Sequence, residues 1–170
     1  MKKRALIIVL LIFILTITLI ISLNLNKASI EKQKQILSNA QIVLKYNDKE
    51  KVLTKEEIIL YGEDFEAVLD TSTTEPSTHI YRGVQLKDLL NNHNIDLQDK
   101  IIIIKAADGY SVAYSSEEVS IDKNVYIAFM EDGRYLGSRD SGGRGPYESI
   151  VVSDFFSNRR CKWITEIEVK

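Results

Sequence analysis

From Ala5 to Leu23 the chain has no charged residue, and only Thr16, Thr18 and Ser22 interrupt its apolar run. At about 1.5 Å rise per residue such a helix crosses a hydrocarbon core roughly 30 Å thick. The polar stripe expected of a helix lying on a soluble core is missing. Lys2, Lys3 and Arg4 precede the run, and a basic flank stays on the cytoplasmic side, which places everything after Asn24 outside. The pattern predicts residues 1–4 as a cytoplasmic tip, 5–23 as a single-pass anchor in the cell membrane, 24–40 as a spacer and 41–170 as an extracellular domain. A cleavable signal would have a shorter apolar stretch of about 7–15 residues. Small residues at Ala28 and Ser29 nonetheless admit cleavage there and a secreted form.

Beyond the anchor the periodicity changes. Asn24 to Ala40 is polar, with a thin apolar stripe through Ile30, Leu37 and Ala40, and reads as a helical or flexible spacer. Gln41–Tyr46 and Lys51–Leu53 read as strands joined by turn chemistry at Asn47-Asp48-Lys49. Thr54 followed by Glu57 is a capping box, and the short helix it starts, through Ile58 and Leu60, should end at Gly62. Phe65–Leu69 reads as a strand and Asp70–Thr78 as a solvated loop. Leu86, Leu89 and Leu90 share one face of a second helix, which ends near Asn91-Asn92-His93-Asn94. Ile101–Ile104 suits a strand buried on both faces, and Asp108-Gly109 turns into a strand over Tyr110–Tyr114. Val125–Met130, a turn at Asp132-Gly133, Ile150–Val152 and Trp163–Val169 complete an α+β domain with mixed β-sheets and short helices.

Composition narrows the function. The chain's 170 residues provide for one domain, and its 24 Asp and Glu exceed its 22 Lys and Arg even with the basic tip counted. That balance argues against a nucleic-acid partner. Cys161 is the sole cysteine, so neither an internal disulfide nor a multi-cysteine zinc site can form. Between Arg160 and Lys162 its thiol would be activated if exposed, or it would pack as a small apolar residue.

The densest chemical signal is the segment from Gly133 to Tyr147, which holds five of the eight glycines together with Arg134, Arg139 and Arg144. Glycines let backbone amides crowd around an anion, and arginines pair with phosphate or carboxylate. Asp140-Ser141-Gly142-Gly143 is similar to the nucleophile motif of chymotrypsin-like proteases, but Arg139 and Arg144 stand where that family has Gly and Pro, and no base is evident for Ser141. His79 follows the polar loop and reads as solvated or hydrogen-bonded, with a pocket as the alternative. His93 reads as a partly exposed helix cap.

Taken in order, Tyr81-Arg82-Gly83-Val84-Gln85-Leu86-Lys87-Asp88-Leu89-Leu90, Ala107-Asp108-Gly109-Tyr110, the glycine-rich segment and Lys162-Trp163-Ile164 resemble the molybdopterin-binding domain of the sulfite oxidase family over Gln41 to Lys170. The resemblance implies layered mixed sheets and a pterin-cofactor pocket between loops. It assigns Asp108 to an acidic pocket position, Arg160, Cys161 and Lys162 to the cofactor-contacting segment, and Arg139, Asp140 and Gly142 to the loop that closes over it. As cofactor-binding residues it therefore implies Asp108, Arg139, Ser141, Gly142, Gly143, Arg160 and Lys162.

Three departures bear on chemistry. The family's molybdenum-ligating cysteine has no counterpart between Phe65 and Ile80, Ser141 stands at the loop histidine, and Glu148 falls near an arginine position. Without a thiolate the metal loses its bond to the protein. The expectation is a membrane-tethered module that holds a small anionic or pterin-like ligand without redox catalysis. Molybdopterin itself is admitted but not protein-ligated molybdenum. The alternatives are a molybdopterin-dependent oxidoreductase subunit and a cofactor-free interaction domain.

Overall fold

A computed structural model describes residues 2–71, 74–154 and 156–170. Residues up to Gln35 form one unit and Ile36–Lys170 the other. Helix α1, Lys2–Ser38, carries the first unit. The expected basic tip and Ala5–Val9 are described there as backbone alone, with Met1 outside the described residues. Leu10–Leu23 are exposed, and Thr16 and Thr18 donate their hydroxyls to the carbonyls of Phe13 and Leu15, at 2.8 and 2.9 Å. Among the described residues no helix is long and apolar enough to cross a membrane.

The second unit is built from two sheets. In chain order its elements are β1 (Ile42–Tyr46), β2 (Lys49–Leu53), α2 (Lys55–Ile59), β3 (Glu63–Thr71), β4 (Thr74–Gln85), α3 (Leu86–Asn91), β5 (Ile101–Ala106), β6 (Ser111–Ser115), α4 (Ser116–Ser120), β7 (Val125–Glu131), β8 (Arg134–Tyr135), β9 (Glu148–Val151), β10 (Cys161–Lys162) and β11 (Ile164–Val169). One sheet has the order β2-β1-β11-β5-β6, and the other β10-β9-β7-β4-β3 with β8 beside β7. The β1–β11 pair is parallel and the remaining pairs are antiparallel, so the first sheet is mixed.

Local chemistry places the turns. Asn47 and Asp48 both take positive φ (48° and 59°), as a two-residue hairpin turn that matches strand twist requires. Asp132 and Gly133 do the same at 47° and 76°. Thr54 accepts from the Glu57 amide at 3.3 Å while Glu57 accepts from the Thr54 amide at 2.8 Å, which completes the capping box. The helix then closes at Leu60 in right-handed geometry. Gly62 is not a left-handed cap; a Cβ there would stand 2.6 Å from the Phe129 ring, so the glycine makes room for a core side chain.

The core lies between the sheets. Leu44, Ile102, Ile104, Ile127, Ile164 and Ile167 meet there with the inner faces of α2, α3 and α4. A smaller cluster, Ala67, Tyr81, Ala128 and Ile150, covers the other face of the second sheet, which is why β7 is buried on both sides.

Two expectations are corrected here. Asp70–Thr78 is largely strand: β3 and β4 pair from Glu63↔Gly83 to Thr71↔Thr74. Threonines suit a pleated edge, and Pro76 is tolerated because β7 pairs with β4 only from Tyr81 onward. Ser72 and Thr73 of that expected loop lie outside the described residues. Ile101–Ile104 alternates, with Ile102 and Ile104 at 0 % exposure and Ile101 at 53 %. The outer face of its sheet is polar, carrying Lys105 between Glu166 and Glu168 at 2.6 and 2.7 Å. Helix α4 was not anticipated, although Ser115 caps it by accepting from the Glu118 amide at 3.2 Å.

Candidate functional site

The β7–β8 hairpin and the glycine-rich segment enclose a cleft of about 720 Å³, lined by Glu131, Asp132, Arg134, Tyr135, Leu136, Gly137, Gly142, Gly143, Arg144 and Lys162. The segment folds back on itself. The Gly143 amide donates to the Ser138 carbonyl at 2.8 Å and the Gly145 amide to the Gly137 carbonyl at 2.9 Å. A Cβ on Gly143 would fall 2.1 Å from the Gly137 oxygen, so only glycine permits this approach. The Gly142 amide donates to the Arg139 carbonyl at 3.0 Å. The glycines expected to present amides to an anion thus direct the Gly142 and Gly143 amides into the loop itself.

Charge is concentrated on the cleft wall. Arg144 forms an ion pair with Glu131 at the end of β7 and stands 3.0 Å from Glu148 on β9. Glu131 also accepts from the Tyr81 hydroxyl at 2.8 Å. Tyr81 accepts in turn from Arg160 at 2.8 Å, and Arg160 donates to the Val68 carbonyl at 2.8 Å. Glu148 is 0 % exposed, and neither of its oxygens has a hydrogen-bond partner among the described residues. Arg144 is therefore close enough to attract it but out of line to bond it. Burial raises the Glu148 carboxyl above the usual carboxylate range, against the pull of Arg144, Arg160 and Lys162. Burial would raise Glu131 too, but hydrogen bonds from Arg144 and Tyr81 hold it below that range.

A second recess, about 260 Å³, is lined by Asp108, Tyr110, Arg160, Lys162 and Trp163. Asp108 accepts from the Tyr110 amide at 3.0 Å, closing its own turn. Lys162 borders both recesses. The Trp163 indole donates to the Gly143 carbonyl at 2.7 Å and pins the loop to the start of β11. Arg139 lies 5.0 Å over the Trp163 ring.

Of the residues expected at the site, Gly142, Gly143 and Lys162 line the cleft, and Asp108, Arg160 and Lys162 the second recess. Arg139 reaches the assembly through Trp163. Ser141 donates to the Ser138 carbonyl at 2.9 Å and lines neither. Sequence reasoning missed Tyr81 and Glu131, which become neighbours as a cross-strand pair of β4 and β7; no local spacing announces them. His93 sits 3.3 Å from Lys51, and burial with that cation lowers its pKa.

Cys161 is buried, with its Sγ 4.0 Å from the Ile104 carbonyl. Burial pushes its thiol up to about 12, so the activated-thiol expectation gives way to core packing. Among the described residues no group of three or more His, Cys, Asp or Glu is placed to hold a metal. With the sole cysteine buried and its thiol raised, the residues present do not fit a molybdenum centre ligated by a protein thiolate. The donors bordering the recesses, chiefly Arg144, Arg160 and Lys162, fit an anionic group.

Two sheets, one mixed and one antiparallel, thus position a cleft between hairpin and loop whose wall carries both cations and carboxylates. The model of the oxidoreductase molybdopterin binding domain matches residues 62–170, and the chain belongs to that family. The fold is similar to that of the sulfane dehydrogenase SoxCD from Paracoccus pantotrophus, with a TM-score of 0.60 and 19 % identity over 76 % of this chain. The match spans 37 % of the SoxCD chain, little more than a third of its length. No curated protein matches the chain.

Proposed function

We propose that the chain is a membrane-tethered, extracytoplasmic member of this family whose cleft holds a small anionic or pterin-like ligand without redox catalysis. The observation that carries the reading is a family scaffold with cations bordering its recesses and its single thiol sealed in the core. Lys162 would meet the ligand's negative charge, since it borders both recesses and makes no ion pair among the described residues. Arg144 would contribute from the cleft wall and Arg160 from the second recess. For the tether, the support is the uncharged run Ala5–Leu23 behind a basic start, together with two threonines that satisfy their hydroxyls on their own helix, as an apolar environment demands.

The test uses the full chain in mild detergent, produced in a host that makes the molybdenum cofactor. Native mass spectrometry with elemental analysis and calorimetry against inorganic phosphate and a reduced pterin are the readouts. Ligand binding without stoichiometric molybdenum is expected. A molybdenum-loaded chain would support the oxidoreductase subunit instead. A chain that binds neither probe would be a cofactor-free interaction domain, a reading favoured by the engagement of Arg144 with Glu131 and Glu148. Protease added to intact cells should remove residues 41–170; protection of the domain would overturn the external placement.

A further inference from the structure

On β4, Ser77 and His79 are two residues apart and so project from one face of the strand. Ser77 Oγ lies 2.8 Å from His79 Nε2, and His79 Nδ1 lies 2.8 Å from Asp132 Oδ2. Asp132 belongs to the turn after β7, which the β4–β7 pairing brings alongside the hairpin. Its other oxygen accepts from the Ile80 amide at 3.1 Å, which fixes the carboxylate against the strand. A second carboxylate, Glu131, has an oxygen 3.5 Å from the same ring nitrogen. In the neutral imidazole these contacts favour the tautomer whose Nδ1–H faces the acids, which leaves the Nε2 lone pair for the serine hydroxyl. Ser77 is exposed and the His79 side chain retains 25 % exposure, so a substrate can reach both.

We propose that Ser77, His79 and Asp132 form a hydrolytic site for small carboxylic esters, with Ser77 as nucleophile, His79 as general base and Asp132 as the positioning residue. A serine hydroxyl becomes a nucleophile when a base within hydrogen-bond reach is itself oriented by a third group, wherever these lie in sequence. Ser77 Oγ adds to the ester carbonyl carbon as its proton passes to His79 Nε2. The carbon–oxygen bond to the leaving alcohol then breaks, and the alcohol departs with that proton. Water repeats the addition with His79 as base, releasing the carboxylic acid and restoring Ser77.

Substrate charge follows from the same face. Tyr81, two residues beyond His79, has its ring 6.2 Å from the imidazole and holds the Arg160 guanidinium 5.1 Å from its own centroid. Arg160 would favour esters bearing an additional anionic group, acting against the Asp132 and Glu131 carboxylates beside His79. Ser77 and His79 line neither recess, so their test is separable from ligand binding, while Asp132 and Glu131 are shared with the cleft.

The full chain in detergent is treated with a fluorophosphonate probe, and the adduct is located by peptide mass spectrometry. Turnover is followed with p-nitrophenyl acetate and with the p-nitrophenyl monoester of succinate. Labelling at Ser77 is expected, together with losses of at least about a hundredfold in kcat for Ser77→Ala and His79→Gln, and an unchanged melting temperature for Ser77→Ala. Asp132→Asn should lower kcat with little change in KM, and Asp132→Glu should restore part of the rate. The succinate ester should turn over faster than the acetate, and a preference for the acetate would overturn the role given to Arg160. Absence of a Ser77 adduct, or a Ser77→Ala variant as active as the wild type, would overturn the site. Because Ser77 is exposed, its alanine variant is expected to fold, and its melting curve checks that directly.

Discussion

Removing the Arg144 guanidinium leaves two acidic side chains facing each other across the cleft wall, one of them wholly buried. At 3.0 Å and an effective dielectric of about 20, a fully ionised Arg144–Glu148 pair attracts by about 5–6 kcal/mol before desolvation is counted, and the raised Glu148 carboxyl reduces what is realised. Breaking such a buried pair from one side costs about 3–5 kcal/mol. For a domain of this size each kcal/mol lowers Tm by roughly 3 °C, so Arg144→Met should melt about 9–15 °C below the wild type. Glu148→Gln should cost much less, because Arg144 keeps Glu131 as a partner and an amide needs no counter-charge. In the Arg144→Met background the same Glu148→Gln change should raise stability, giving a coupling above about 2 kcal/mol. Denaturant unfolding followed by circular dichroism on the four proteins of the cycle measures it. Additivity within about 0.5 kcal/mol would refute the claim that Arg144 neutralises Glu148.

Glu148 also fixes a pH dependence. Its folded carboxyl is held above the usual range, so its contribution is fully present below the unfolded value and is lost as pH rises through the folded one. The Tm difference between wild type and Glu148→Gln should therefore shift toward the wild type as pH falls from 8 toward 5. Glu131, Glu166 and Glu168 are lowered, and they lose stability only at still lower pH. Cys161 should resist a thiol reagent at pH 8 in the native chain and react on unfolding, and fast native labelling would contradict its burial. Gly143→Ala should cost about 1–3 kcal/mol, read by thermal melting, because the loop must open around a Cβ set 2.1 Å from the Gly137 oxygen.

What the sequence disclosed was local. The Asn47-Asp48 and Asp132-Gly133 turns and the Thr54–Glu57 box each depend on residues within one turn of each other, and all three appear in the fold. The ordered blocks around Gly83-Val84 and Lys162-Trp163 were enough to reach the family. Side-chain chemistry assembled across strands was not legible. Tyr81 meets Glu131, His79 meets Asp132, and Arg160 crosses to Tyr81 only once β4, β7 and β10 are in place. The Thr-rich stretch before His79 misled because its composition is that of a loop, while its pairing with β3 made it a strand.

The position of β11 has a consequence for synthesis. Ile164–Val169 is the middle strand of its sheet, bridging β1 on one side and β5 on the other. Until those residues leave the ribosome, β1–β2 and β5–β6 are two separate hairpins with nothing between them. A nascent chain emerging from its N-terminal side can form local turns early, but it cannot close this sheet. Closure of this sheet is therefore obliged to follow translation of β11, and a chain stalled short of Ile164 leaves the facing edges of β1 and β5 open for chaperones or for aggregation.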